Sequence, residues 1–135
     1  MTSRTQPCSR PEARTRLEQA EAFVLAAELV LDDTTVLANP GVAATLAILA
    51  GIAASDAACC ARLRRRACGQ AHEEAVALLE TVEPGGTEMA KDLKRLLQKK
   101  DSASYGVSFF SLGEGSDLVG WAKRLIGRAR TAVEA

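Results

Sequence analysis

Aromatic residues are scarce: one Trp, one Tyr and three Phe, 4% of the chain. The core must therefore be aliphatic, and too few aromatic or β-branched residues are present to favour a sheet protein. Histidine occurs once, so any imidazole chemistry has to use His72. Charge of one sign is lacking as well. The formal net charge is +0, which argues against strong indiscriminate binding to nucleic acid or membrane. The N-terminal run MTSRTQPCSRP has no apolar core segment and does not read as a signal peptide. Cys8, Cys59, Cys60 and Cys68 show no CxxC spacing. Adjacent Cys59 and Cys60 lie in an Ala-rich apolar run, where they read as buried free thiols of a cytoplasmic protein. A metal site would have to use Cys68 and His72, with Gly69 between them and no second ligand pair nearby. No metal and no cofactor is expected.

What the sequence does hold is apolar and charged residue in ordinary globular proportion, 47% and 25% of 135 residues. That suffices for one domain with its own core. Alanine and leucine dominate and favour helix. Residues 34–55 carry no charge. With Pro40, Gly41, Gly51, three threonines and much alanine, this stretch reads as a buried core helix rather than a membrane span.

The apolar spacing predicts five helices. Residues 1–10 read as a mobile tail ahead of a domain over 11–135. Ser9 is placed to cap a first helix from Glu12 to Leu31, where Leu17, Ala20, Val24, Ala27 and Leu31 form one stripe. A second helix is expected from Val42 to Arg66, ended by Gly69. A third follows from Gln70 to Val82, and Glu83-Pro84-Gly85-Gly86 is a break. Thr87 is expected to cap a fourth helix to Lys100. After a loop over 101–115, Ser116 is expected to cap a fifth to Val133. The expected class is all-α, a four- to five-helix up-and-down bundle. The second helix is apolar on more faces than one layer of neighbours covers, which predicts a homodimer.

Zero net charge conceals segregation. No Lys or Arg occurs between Arg16 and Arg62, while Glu18, Glu21, Glu28, Asp32, Asp33 and Asp56 do. Basic residues gather at Arg62–Arg66, Lys91–Lys100 and Lys123–Arg130. Two readings are open. The clusters form a groove for a phosphate chain, with Lys91, Lys94, Arg95 and Lys99 as contacts, or they are solvated faces of amphipathic helices.

Three segments in order, AILAGIAASDAACCARL, GQAHEEAVALL and LKRLLQKKDSASYG followed by DLVGWAKRLIGRA, give a pattern that resembles the HEPN domain family of prokaryotic helical-bundle proteins. The resemblance spans roughly Glu12 to Val133. It implies a helical bundle, commonly a homodimer. It also implies a metal-independent ribonuclease in a toxin–antitoxin or defence module, with RNA or nucleotide as ligand. A cognate antitoxin or a minimal nucleotidyltransferase is the implied partner, and no membrane is involved. Active members carry Arg, four to six residues, then His. Here Lys100 stands at the Arg position, Asp101 matches the polar residue after it, and Tyr105 falls at or beside the His position. This departure predicts weak or lost cleavage, because a phenol is a poor base at neutral pH. Lys100 still offers a point charge to phosphate, without the fork of Arg. Arg66 and His72 fit the spacing literally at another helix junction and form an alternative site. The rival expectation is a non-catalytic nucleotide or nucleic-acid binding module, or a protein that only binds a partner chain.

Overall fold

Short polar side chains at the helix starts set the frame. The computed structural model describes residues 4–32, 39–69, 71–100, 103 and 110–135. Its elements in chain order are β1 (Thr5–Pro7), α1 (Arg10–Asp32), α2 (Pro40–Leu63), β2 (Arg65–Ala67), α3 (His72–Glu80), α4 (Gly86–Gln98) and α5 (Leu112–Glu134). The protein is an all-α bundle with one two-stranded ribbon. Ser9 and Glu12 cap α1 reciprocally. The Ser9 hydroxyl accepts from the Glu12 N–H at 3.2 Å, and the Glu12 carboxylate accepts from the Ser9 N–H at 3.0 Å. Asn39 Oδ1 accepts from the N–H groups of Gly41 and Val42, with Pro40 in the first turn.

Two expected caps lie elsewhere. Ser111, not Ser116, caps the last helix through a reciprocal pair with Glu114. Gly85, in the left-handed region at φ 85°, precedes α4 in place of Thr87. The second helix also ends earlier than its arginine run. Arg64 takes a left-handed conformation at φ 60°, unusual for a residue with a Cβ. Its backbone N–H donates to the Cys60 carbonyl at 3.2 Å, and its guanidinium folds back to donate to the carbonyls of Cys60 and Ala61, which gives the otherwise orphan Ala61 carbonyl a partner. The chain then turns into β2, so Arg65 and Arg66 are strand residues and Gly69 terminates nothing.

β2 pairs antiparallel with β1, Gln6 opposite Arg66. The stretch 4–10, expected to be a loose tail, is thereby fastened to the bundle. The Cys8 N–H donates to the Arg64 carbonyl at 3.0 Å, and a Cys8–Cys60 disulfide bridges β1's end to α2. This corrects the reading of four free thiols; Cys59 and Cys68 alone are free. Disulfides persist in oxidising surroundings, so the cysteines no longer argue for a reducing compartment.

Small side chains make α2 the centre. Every residue from Ala53 to Ala61 is buried. At Gly51 a Cβ would stand 2.5 Å from Leu96 of α4 and 3.5 Å from Leu125 of α5, so three helices meet on that hydrogen atom. Pairs of contacts give the directions. Cys8–Cys60 and Arg16–Asp56 set α1 against α2. Glu21–Arg130 at 2.6 Å and Glu28–Lys123 at 3.2 Å set α1 against α5. Arg124–Asp92 at 2.8 Å and Arg128 over Gly85 set α4 against α5. α2 is the helix long and apolar enough to cross a membrane among the described residues, and most of its apolar stretch is buried inside the bundle. Its cover comes from α1, α4 and α5 of the same chain, and the large apolar side chains it leaves exposed are Val42 (47%) and Leu49 (39%). The apolarity that suggested a second copy is thus largely absorbed within one chain.

Two glycines test this packing in opposite directions. A Cβ on Gly86 would meet the carbonyl oxygens of Leu79 and Glu80 at 2.7 Å, and backbone cannot step aside cheaply. Gly86→Ala is expected to cost about 1–3 kcal/mol. Gly120 has nothing within 4 Å and lies exposed inside α5. Gly120→Ala is expected to gain roughly 0.5–1 kcal/mol by helix propensity. Urea midpoints of the two variants check both signs.

Candidate functional site

The α3–α4 hairpin folds back on α2, and the ribbon closes the corner with α1. A cavity of about 290 Å³ opens there, lined by Arg16 of α1, Ser55 and Asp56 of α2, Arg66 of β2, Cys68, His72 of α3 and Lys100 past α4. Ile52, Ala75, Leu93 and Leu97 form its apolar wall. Lys100 and the Arg66–His72 pair, alternatives in the sequence, therefore share one cavity. Asp101 and Tyr105 lie outside the described residues.

Asp56 organises the charge. It is 7% exposed, and its Oδ2 accepts from Arg16 Nε at 3.1 Å and Nη2 at 2.8 Å, with Arg66 Nη1 at 3.6 Å. Burial pushes its carboxyl above the ordinary aspartate value, and the charge and hydrogen bonds of Arg16, then the charge of Arg66, oppose that rise. Three cations face one carboxylate, so the cavity keeps a positive excess. Protonating Asp56 releases both guanidiniums, so that excess grows as pH falls. His72 opens α3, whose cap residue Ala71 supplies no side-chain hydrogen bond. The first N–H groups of that helix thus have no side-chain acceptor at the cavity edge.

Arg16 and Asp56 escaped the sequence reading. The available signal was Asp56 itself, the one charged residue in the run from Val42 to Ala61. Buried carboxylates are almost always paired. Cys59, one turn away, is no nucleophile: burial, then the charge of Asp56, pushes its thiol up to about 12. Among the described residues no group of three or more His, Cys, Asp or Glu stands together for a metal.

The outer basic clusters are partly spoken for. Lys91 faces Glu88 at 3.9 Å, and Arg95 faces the buried Asp92 at 3.8 Å while lying 5.8 Å over the Trp121 ring. Lys123 and Arg130 pair with the acids of α1. Lys94 on α4 and Lys99 just past its end are exposed. Some of the segregated charges of the sequence are thus each other's partners across elements: Arg66 with Asp56, Lys123 with Glu28, Arg124 with Asp92 and Arg130 with Glu21. Compared with known proteins, the chain matches no family model and no curated sequence.

Proposed function

We propose that the chain is a HEPN-type helical-bundle protein of a toxin–antitoxin or defence module, which binds RNA phosphate in the Arg16–Arg66–His72–Lys100 cavity and cleaves it weakly without metal. The convergence of Arg66, His72 and Lys100 on one cavity supports this reading. Metal-independent cleavage needs a base for the 2′-hydroxyl and cations for the charge that develops on phosphorus. His72 is the base. Its imidazole takes the 2′-hydroxyl proton, the 2′-oxygen forms a bond to phosphorus, and the bond to the 5′-oxygen breaks. The products are a 2′,3′-cyclic phosphate and a 5′-hydroxyl, whose proton comes from Lys100 or water. Arg16, Arg66 and Lys100 hold the non-bridging oxygens. The proposal includes a two-fold homodimer, as the family resemblance implies, and an antitoxin or minimal nucleotidyltransferase as partner.

The competing reading is a non-catalytic module that uses the same cations to bind a nucleotide or nucleic acid. One experiment separates the two. Purified protein, with its mass read by light scattering, is incubated with single-stranded RNA with and without chelator. The expected result is slow cleavage unaffected by chelator, leaving cyclic-phosphate ends. Arg66→Ala with Lys100→Ala is expected to weaken RNA binding by roughly 10–100-fold, at about 1.4 kcal/mol per decade. RNA that stays intact yet binds with that same dependence would replace the nuclease with the binding module. Binding that ignores both residues would remove the cavity from either.

A further inference from the structure

A second cavity of about 350 Å³ lies on the far side of His72 and Leu97, which line both. It sits between α3 and α4, and its charge is opposite. Glu73 and Glu80 face one cation, Lys94, where the first cavity sets three cations against Asp56. Val76, Ala77 and Leu97 give it an apolar floor, and Gln98 stands at its edge.

We propose that this second cavity holds the nucleoside of a nucleotide whose phosphate lies in the first, with His72 at the junction. The inference rests on the proposed anion site and extends it. The charge contrast fixes the orientation. A phosphate is drawn to Arg16, Arg66 and Lys100 and repelled by Glu73 and Glu80. The neutral, hydroxyl-bearing sugar and base suit the carboxylate side, because Glu73 and Glu80 accept from ribose hydroxyls. The apolar floor takes the face of a base, and the amide of Gln98 both donates to and accepts from its edge. The first cavity alone is small for an organic ligand and the second lies at the low end of the range of ordinary small-molecule sites, while the two, sharing His72 and Leu97, together have room for a nucleoside and its phosphate. The ligand class is a nucleoside monophosphate, free or as one unit of an RNA chain. This geometry also brings the sugar–phosphate junction to the imidazole.

The test uses inorganic phosphate, adenosine and adenosine monophosphate as probes, titrated by calorimetry. The monophosphate is expected to bind at least about tenfold tighter than phosphate or adenosine, the equivalent of about 1.4 kcal/mol. Ala77 is exposed on α3, so Ala77→Leu fills the second cavity without disturbing the core. It is expected to reduce monophosphate affinity to that of phosphate and leave phosphate binding unchanged. Gln98→Ala, also at an exposed position, is expected to lower monophosphate affinity alone. A monophosphate that binds no tighter than phosphate, or binds Ala77→Leu as well as the parent, overturns the second cavity and leaves the anion site standing. Absence of any phosphate or monophosphate binding removes both.

Discussion

Reducing the Cys8–Cys60 bond is expected to lower the free energy of unfolding by about 4 kcal/mol. The bond spans 52 residues, and closing a loop of that length removes entropy from the unfolded chain to about that extent. What remains to hold β1 is slight. The ribbon is three residues on each side, and an isolated two-stranded ribbon is marginal in water. The Cys8 N–H to Arg64 and the Cys68 N–H to Arg4 are the backbone bonds that frame it. Cys8→Ser under non-reducing conditions should therefore match the reduced parent, and reductant should change the variant little. Urea unfolding of both proteins, with and without a dithiol, measures the effect. A midpoint that moves by under about 1 kcal/mol in free energy, or alkylation that finds four free thiols in the unreduced protein, would refute the expectation. The outcome also bears on the cavity, because β1 holds the strand that carries Arg66.

The ribbon shows why parts of this fold were illegible in the sequence. Thr5–Pro7 and Arg65–Ala67 carry no alternating pattern, and three residues are too few for one. Their pairing depends on Cys8 finding Cys60 across two helices, and the cysteine spacing pointed to no such pair. The helices were legible, because stripes such as Leu17–Ala20–Val24–Ala27 repeat at the helical period and face the core. Ser9 is legible as a cap because Pro11 falls in the first turn after it. Ser111 carries an equally readable signal, the run Ser111-Leu112-Gly113-Glu114 with Glu at the third helical position, but a glycine-rich loop masked it.

The site was legible residue by residue and illegible as an arrangement. Arg66, His72 and Lys100 each stood out for its charge or its rarity. Lys100 is 28 positions beyond His72, and the turn after α3 that folds α4 back is what makes them neighbours. Linear spacing therefore set them up as rivals. The pairing of the charge clusters is hidden in the sequence for the same reason. Glu21 and Glu28 lie on α1, Lys123 and Arg130 on α5, and their separation in sequence resembles a polarised surface. In the bundle they are seven apart on facing antiparallel helices and pair one to one.

His72→Ala is expected to lower kcat for RNA cleavage by roughly 10²–10⁴, the usual contribution of a positioned general base, while RNA affinity stays within a few-fold. The split follows from the division of labour in the cavity. Affinity comes from Arg16, Arg66 and Lys100, whose charges do not depend on the imidazole. The proton transfer depends on His72, the chain's one histidine. Asp56→Asn should move the other quantity. It frees Arg16 and Arg66 from the carboxylate that both now face, so KM falls with kcat little changed. The pH profiles carry a matching signature. Asp56 titrates above the ordinary aspartate range because of its burial, so in the parent protein KM falls as pH drops through that group and the guanidiniums are released. In Asp56→Asn that limb is absent and KM stays low throughout. Steady-state cleavage of a labelled RNA across pH, for the parent and the two variants, reads kcat and KM separately. If His72→Ala leaves kcat within a factor of about three, the imidazole is not the base, and the chemistry belongs to another junction of the bundle.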